Sequence, residues 1–73
     1  MLRTLFEVKK ELESARDNFP FPFNSTHEGY AVLREEVDEL WDCVKSNVGR
    51  DVMRREAIQI AAMAVRFIED LCE

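Results

Sequence analysis

The sequence lacks several features that mark large classes of protein. With only two cysteines in 73 residues, no disulfide framework supports the fold, and Cys43 and Cys72 are expected to be free, reduced thiols. The longest nearly apolar run, residues 57–65, is too short to span a bilayer, and the N-terminus becomes charged too soon for a signal peptide. We therefore expect a cytoplasmic protein with no membrane segment.

Positive charge is also scarce. Fifteen acidic residues outnumber ten basic ones, which gives a formal charge of −5 and an isoelectric point near 4.8. Such a chain is poorly suited to binding the phosphate backbone of a nucleic acid polymer. The charge is better suited to a site that collects cations.

The chain is short but rich in apolar residues. We expect one small domain over residues 1–73, and a domain of this size buries only about 60% of the surface that its unfolded chain exposes. Yet 47% of the residues are hydrophobic, five of them phenylalanines. Oligomerisation is a common way for so small a domain to gain stability.

Three stretches carry apolar residues at the alternating spacings of three and four that are typical of amphipathic helices. They predict helices over residues 2–17, 25–46 and 51–72, and nothing predicts a strand. Pro20 and Pro22 break the pattern between the first two stretches, because neither residue can continue a helix. The fold class is therefore expected to be all-α.

The helix ends have recognisable signals. Ser25 and Glu28 have the spacing of a capping box at the start of the second helix. Gly49 is expected to end that helix in the left-handed conformation, and Asp51 to cap the third. With so short a turn, the second and third helices are predicted to form an antiparallel hairpin.

The third predicted helix is apolar on two sides. A helix of this kind is buried nearly all round, which a three-helix subunit does not achieve alone. We therefore expect a homodimer or homotetramer that completes a helical bundle. One side carries Ala57, Ile60, Ala61, Ala64, Phe67, Ile68 and Leu71, and the opposite side carries Ile58, Ala62 and Val65.

Three phenylalanines lie in the segment between the first two helices. Phe19, Phe21 and Phe23 would each cost about 1.5–3 kcal/mol if they were left fully in water. The simplest expectation is that they pack against the ends of the helices. The alternative is a platform on which a nucleobase stacks.

Acidic residues are concentrated in the second predicted helix. Its apolar seam contains Tyr30, Leu33, Val37, Leu40 and Val44. Glu36 and Glu39 lie one turn apart on a flank of that seam, between Val32 and Cys43. An acidic helix face most often only meets water, but carboxylates held in apolar surroundings need a cation or a proton.

The predicted hairpin brings further polar residues to the same place. With the turn near residues 48–49, Glu39 is level with about Gln59, and Glu36 with about Ala62. Glu56 and Gln59 lie one turn apart on the third helix. Three carboxylates and an amide would form an oxygen-ligand site for a hard cation.

These residues resemble the signature of the MazG-like superfamily of all-α nucleoside triphosphate pyrophosphohydrolases. That signature is EExxE on one helix, then ExxD on the next. Residues 35–39 read EEVDE, sixteen residues separate them from Glu56, and residues 56–59 read EAIQ. The phrases HEGYAVLREEVDELWDCVK and REAIQIAAMAVRFIEDL are similar to a short branch of the superfamily, so the resemblance covers residues 25–71.

The resemblance implies a Mg²⁺-dependent enzyme that splits a nucleoside triphosphate into a monophosphate and pyrophosphate, with a role in removing non-canonical nucleotides as one possibility. Glu36, Glu39 and Glu56 would hold the metal together with Gln59. Glu35 would be a nearby ligand or base, and Glu36 would share in catalysis. Such enzymes are dimers or tetramers.

One position departs from the superfamily pattern. Gln59 stands where the aspartate is expected, so the site has one negative charge fewer. Contacts with the phosphates of the substrate are assigned to His27, Lys45 and Arg55, although exposed basic residues more often form salt bridges. The competing interpretation is a non-catalytic oligomerisation or adaptor module with a degenerate metal site.

Overall fold

Three helices account for most of the chain. The computed structural model describes all 73 residues and places α1 at Leu2–Asn18, α2 at Thr26–Ser46 and α3 at Arg50–Leu71. No strand is present, so the all-helical prediction is confirmed. Both cysteines are free thiols. None of the helices combines the length and the hydrophobicity that crossing a membrane requires.

The start of α2 is capped on both sides of Ser25. The Ser25 hydroxyl accepts a hydrogen bond from the backbone N–H of Glu28 at 3.1 Å, as the capping box predicts. The Glu28 carboxylate, however, accepts from the backbone N–H of Asn24 at 2.9 Å rather than from that of Ser25. The reciprocal bond is therefore made one residue earlier, which ties the preceding segment to the helix.

The turn between α2 and α3 differs from the prediction. Asn47, not Gly49, takes the left-handed conformation after α2, with φ of 53°, and its N–H bonds to the carbonyls of Cys43 and Val44. Gly49 precedes α3 with φ of 111°, a value that favours glycine. Asp51 lies in the first turn of α3 and makes no side-chain cap, so its assignment as N-cap is wrong.

Helix α3 is the centre of the fold. Both α1 and α2 pack against it, whereas α1 and α2 do not contact each other. Near one end of α1, Glu7 forms an ion pair with Arg54 of α3. Near the other end, Arg16 forms ion pairs with Glu69 at 2.8 Å and with Asp70 at 3.1 Å. The order of these contacts shows that α1 and α3 run in the same direction.

A glycine allows α2 to approach α3 closely. Gly29 is buried, and a Cβ atom built on it would lie 2.7 Å from a ring carbon of Phe67 and 2.8 Å from a methyl carbon of Leu71. Both distances are shorter than carbon atoms tolerate. Gly29 is therefore the point at which the first turn of α2 rests on the last turns of α3.

The face that α2 presents to α3 is not the one that the apolar seam indicates. Gly29 and Glu36 lie on the covered side of α2, while Tyr30, Val37 and Val44 are exposed. The apolar arc of α2 spans about half of the helix surface, and α3 covers only the flank that also carries Glu36. Leu33 and Leu40 of the seam are half-buried, so the seam lies at the edge of the contact with α3 rather than at its centre.

Few side chains are fully enclosed. Five of the 73 residues are buried, and the hydrophobic ones with side chains are Phe23, Ala62 and Met63. A stripe on α2, which we call the apolar stripe, remains in water and points away from Glu35 on the opposite side of the helix. An exposed stripe of this kind is typical of a surface that another protein covers. Its members are Tyr30, Val37, Trp41 and Val44.

The close contact at Gly29 predicts a sharp response to an added side chain. The Gly29→Val variant should lose about 1–3 kcal/mol of unfolding free energy, because the ring of Phe67 must move to admit the new methyl groups. Urea unfolding followed by circular dichroism measures the change. The matched control is Ala31→Val, at an exposed position two residues away. An equal loss in the two variants would show that the contact is not limiting.

Candidate metal-binding site and adjoining groove

Three carboxylates from two helices converge beside α3. Glu36 and Glu39 project from α2 and Glu56 from α3, and one oxygen from each lies within 4.8 Å of the others. Glu36 and Glu56 are half-buried, and Glu39 is exposed. We call these three residues the carboxylate cluster. The predicted convergence of Glu36, Glu39 and Glu56 is thus present in the geometry, and its use as a metal site stays a prediction.

Gln59 lies between two of these carboxylates. With its amide nitrogen turned towards them, it donates to Glu56 Oε2 and to Glu36 Oε2, each at 3.0 Å. The neighbouring acceptors favour this orientation of the amide. The Glu36 side chain therefore reaches Gln59, which the sequence placed level with Glu39.

The crowding of negative charge changes how the cluster binds protons. The pKa of Glu36 is raised from 4.5 to about 7, first because burial penalises the charged form and then because Glu39, Glu56 and Glu11 repel a further negative charge. The pKa of Glu56 is also raised, by burial and by Glu39, and the positive charge of Arg55 opposes that shift. Near neutral pH, the cluster therefore shares protons unless a cation replaces them.

A groove adjoins the carboxylate cluster because α1 and α2 stand apart on α3. Its volume is about 710 Å³, within the range of small-molecule sites. Met63 and Arg66 of α3 form its floor, and Glu36 and Gln59 belong to both the groove and the cluster region. The segment over residues 19–24, which we call the aromatic loop, lines one part of the groove.

The aromatic loop is fixed by two buried charges on α3. Arg66, only 6% exposed, donates to the carbonyl of Phe21 at 3.1 Å and stacks its guanidinium 4.0 Å from the ring centroid of Phe23. Asp70 accepts from the backbone N–H of Phe23 at 3.2 Å and is ion-paired with Arg16. This network holds the loop backbone in place.

Only one of the three loop phenylalanines packs as expected. Phe23 is buried at 7% exposure, whereas Phe19 and Phe21 remain 65% and 79% exposed. The expectation that all three rings pack against helix ends is therefore wrong for two of them. The prolines on either side of Phe21 keep the backbone extended, and the ring of Phe21 stays exposed at the groove.

The remaining predicted site residues are dispersed. Glu35 is exposed and lines the groove next to Glu36. Arg55 lies near enough to Glu56 to oppose the rise of its pKa. His27 is exposed in the first turn of α2, and Lys45 pairs with Asp42 at 3.5 Å and sits over the Trp41 ring. Neither His27 nor Lys45 lines the groove.

Several residues that line the groove could not be predicted from the sequence. Glu11 and Asn18 on α1 face the groove, although the pattern of α1 indicates only packing. The spacing NFPFPF marks the aromatic loop as unusual, but it does not identify Arg66 as its anchor. That role depends on a contact across 45 residues of sequence, for which the local pattern holds no signal.

The chain matches no protein-family model, no curated protein and no solved structure. The resemblance to the MazG-like superfamily therefore depends on the motif, its spacing and the sequence around it.

The raised pKa of Glu36 predicts how stability depends on pH in the absence of divalent cations. The folded-state pKa of Glu36, about 7, exceeds the unfolded value of 4.5. The contribution of protonated Glu36 to the unfolding free energy is therefore fully present below pH 4.5 and is lost as the pH rises through 7. We expect the unfolding free energy to fall by on the order of 1–2 kcal/mol between pH 5 and pH 8, after allowance for solvent screening.

Urea unfolding in EDTA at several pH values measures this loss. The Glu36→Gln variant should show a flatter dependence, because it cannot lose the proton. Glu35→Gln removes a neighbouring exposed carboxylate and serves as the control, with the wild-type dependence expected. If Glu35→Gln and Glu36→Gln flatten the curve equally, the carboxylate cluster is not its source.

Proposed function

We propose that the protein is a Mg²⁺-dependent nucleoside triphosphate pyrophosphohydrolase that converts its substrate into a nucleoside monophosphate and pyrophosphate. The observation that carries this proposal is the convergence of Glu36, Glu39 and Glu56 from two helices, within 4.8 Å of one another. The MazG-like motif supports it, because the same three residues occupy the metal-binding positions of that motif.

The donor set suits a hard cation. Mg²⁺ prefers oxygen ligands at 2.0–2.1 Å, so opposite ligands lie about 4.2 Å apart, close to the spread of the three carboxylates. Turning the Gln59 amide over would present its oxygen to Glu36 and Glu56 in place of its nitrogen. Binding would then replace two hydrogen bonds of the amide with a fourth oxygen ligand. The raised pKa values of Glu36 and Glu56 fit a site that gains a cation by releasing protons.

The chemistry divides between the cation and the side chains. When bound, Mg²⁺ neutralises phosphate charge and favours attack by water on the anhydride. Glu36, Glu39, Glu56 and Gln59 would hold it. Glu35 is exposed at the groove beside Glu36, where its carboxylate would orient the attacking water and accept its proton. Arg55, near Glu56, would meet the phosphates.

We also infer that α2 and α3 form an antiparallel hairpin. Gly29 lies against Phe67 and Leu71, whereas further along the chain Glu36 meets Gln59. Contacts that move back along α3 as they advance along α2 support this direction.

A second copy of the chain would cover the apolar stripe and complete a helical bundle. The stripe spans four turns of α2, and a second subunit packed on it would enclose apolar side chains that the three helices of one subunit leave in water. We therefore propose a homodimer, or a homotetramer built from it. Ala57 and Ile68, exposed on α3, extend the apolar surface available to a partner subunit.

A non-catalytic oligomerisation module is the second candidate. The observation in its favour is that Gln59 already satisfies Glu36 and Glu56 with hydrogen bonds of 3.0 Å. A proton shared with Glu39 would complete a cluster that needs no cation. In that case the apolar stripe is the functional surface, and the carboxylates only border it.

Metal binding separates these two candidates. Millimolar Mg²⁺ or Mn²⁺ should raise the melting temperature, since a ligand that binds only the folded state adds about 2.7 kcal/mol at a hundred times its Kd. Glu39→Gln should remove most of this gain. Asp38→Asn, which changes the adjacent exposed residue, should retain it. No metal effect on wild-type protein would sink the enzyme proposal.

Activity is measured as pyrophosphate release from the common and the deaminated or oxidised nucleoside triphosphates. Wild-type protein should release pyrophosphate only with Mg²⁺ or Mn²⁺, and Glu39→Gln should not. The Gln59→Asp variant restores a fourth carboxylate, so it should bind metal more tightly. Metal binding without pyrophosphate release in both wild type and Gln59→Asp would favour the oligomerisation module.

The proposed assembly predicts an effect at Trp41. Trp41→Glu would place a charge in the covered stripe, and an unpaired buried charge is strongly unfavourable. At micromolar concentration, we expect wild-type protein to be a dimer and the Trp41→Glu variant to be a monomer. Sedimentation equilibrium measures both. Ala31→Glu adds the same charge on another side of α2 and should leave the dimer intact. A monomeric wild-type protein would rule out this assembly.

A further inference from the structure

The residues that line the groove indicate which part of the substrate would bind there. A base site within it rests on the proposed function, because that function places the phosphates of the substrate at the carboxylate cluster. The groove reaches from Glu36 and Gln59 to the aromatic loop, and its volume of 710 Å³ accommodates a nucleotide. A nucleotide with its phosphates at the cluster would therefore place its base towards the loop.

The aromatic loop offers rings on a fixed backbone. Arg66 and Asp70 anchor the loop through the carbonyl of Phe21 and the N–H of Phe23. The rings of Phe19 and Phe21 are nevertheless mostly exposed at the groove. Exposed rings on a fixed backbone stack favourably on another flat ring, because they lose little conformational entropy on binding.

The charged groups that remain free in the groove are hydrogen-bond acceptors. Glu11 and Glu35 line it, beside Ser14 and Asn18, which can donate or accept, and none of the four forms a hydrogen bond or ion pair within the chain. Arg66 is the only basic residue in the lining; it is buried, donates from Nη2 to the carbonyl of Phe21 and is ion-paired with Asp70. The free groups of the groove therefore complement a ligand that carries N–H donors.

We propose that the part of the groove next to the aromatic loop binds the nucleobase and selects bases with an exocyclic amino group. Cytosine and adenine would be preferred over uracil and hypoxanthine, which carry a carbonyl oxygen at the corresponding position. The amino group donates to a carboxylate such as that of Glu11, whereas a carbonyl oxygen meets the same carboxylate as a second acceptor. Stacking on Phe21 contributes to the binding of all four bases.

Binding of nucleoside monophosphates tests this selection without depending on hydrolysis or on metal. CMP and UMP, and then AMP and IMP, are titrated into wild-type protein and followed by amide chemical shifts in NMR spectra. We expect CMP and AMP to bind about tenfold more tightly than UMP and IMP, the discrimination of one hydrogen bond to a charged group. Shifts should be largest at the aromatic loop and in the second half of α1.

Two pairs of variants test whether Glu11 selects the base and whether Phe21 stacks on it. Glu11→Gln should reduce the preference for CMP over UMP several-fold, while Glu13→Gln, on the same helix but outside the groove, should preserve it. Phe21→Ala should weaken binding of both nucleotides about tenfold, as the loss of a stacking ring does at other base-binding sites. Phe6→Ala removes an exposed ring on α1 outside the groove and should change nothing.

The outcomes separate this inference from the proposed function. Equal affinity for CMP and UMP, no binding of either, or equal effects of Glu11→Gln and Glu13→Gln would each overturn the base selection, even if pyrophosphate is released from triphosphates. A preference for CMP that depends on Glu11 and Phe21 upholds the base site. Upheld binding without any pyrophosphate release would contradict only the hydrolytic function.

Discussion

The structure depends on one arrangement of helices, in which α1 and α2 both pack on α3 but not on each other. If the outer helices met, the space between them would be filled with side chains. Because they stand apart, the side of α3 that carries Gln59, Met63 and Arg66 becomes the floor of a groove. The same arrangement leaves the chain with few enclosed residues, so the groove and the incomplete core have a common origin.

The helices could be predicted from the sequence because their signals are local. Apolar spacing, the prolines of the aromatic loop and Ser25 determine where helices begin and end, within a residue or two of the observed positions. The packed face of α2 could not be predicted in the same way, since its apolar arc is wider than one neighbouring helix can cover. A small residue, Gly29, decides which part of that arc rests on α3, and glycine adds nothing to an apolar pattern.

The candidate site, too, depends partly on local sequence signals and partly on contacts between residues that are distant in the sequence. The convergence of Glu36, Glu39 and Glu56 follows from one-turn spacings on two helices joined by a short turn, and these are visible in the sequence. The groove requires α1 and the aromatic loop to come together over α3. The contacts that achieve this, Arg16 with Asp70 and Arg66 with Phe21, join residues about fifty positions apart. Nothing in the sequence pairs a buried arginine with a particular carbonyl.

Gln59 gives the carboxylate cluster two ways to balance its charge. A fourth carboxylate at this position would add repulsion to a group in which the pKa of Glu36 is already about 7. The amide instead donates to two carboxylates when its nitrogen faces them, and it offers an oxygen when it turns over. The cation-free protein is thereby stabilised, while the attraction for a cation is reduced. A glutamine here should therefore stabilise the cation-free fold while it weakens metal binding, which makes affinity for Mg²⁺ the property on which the proposed activity depends.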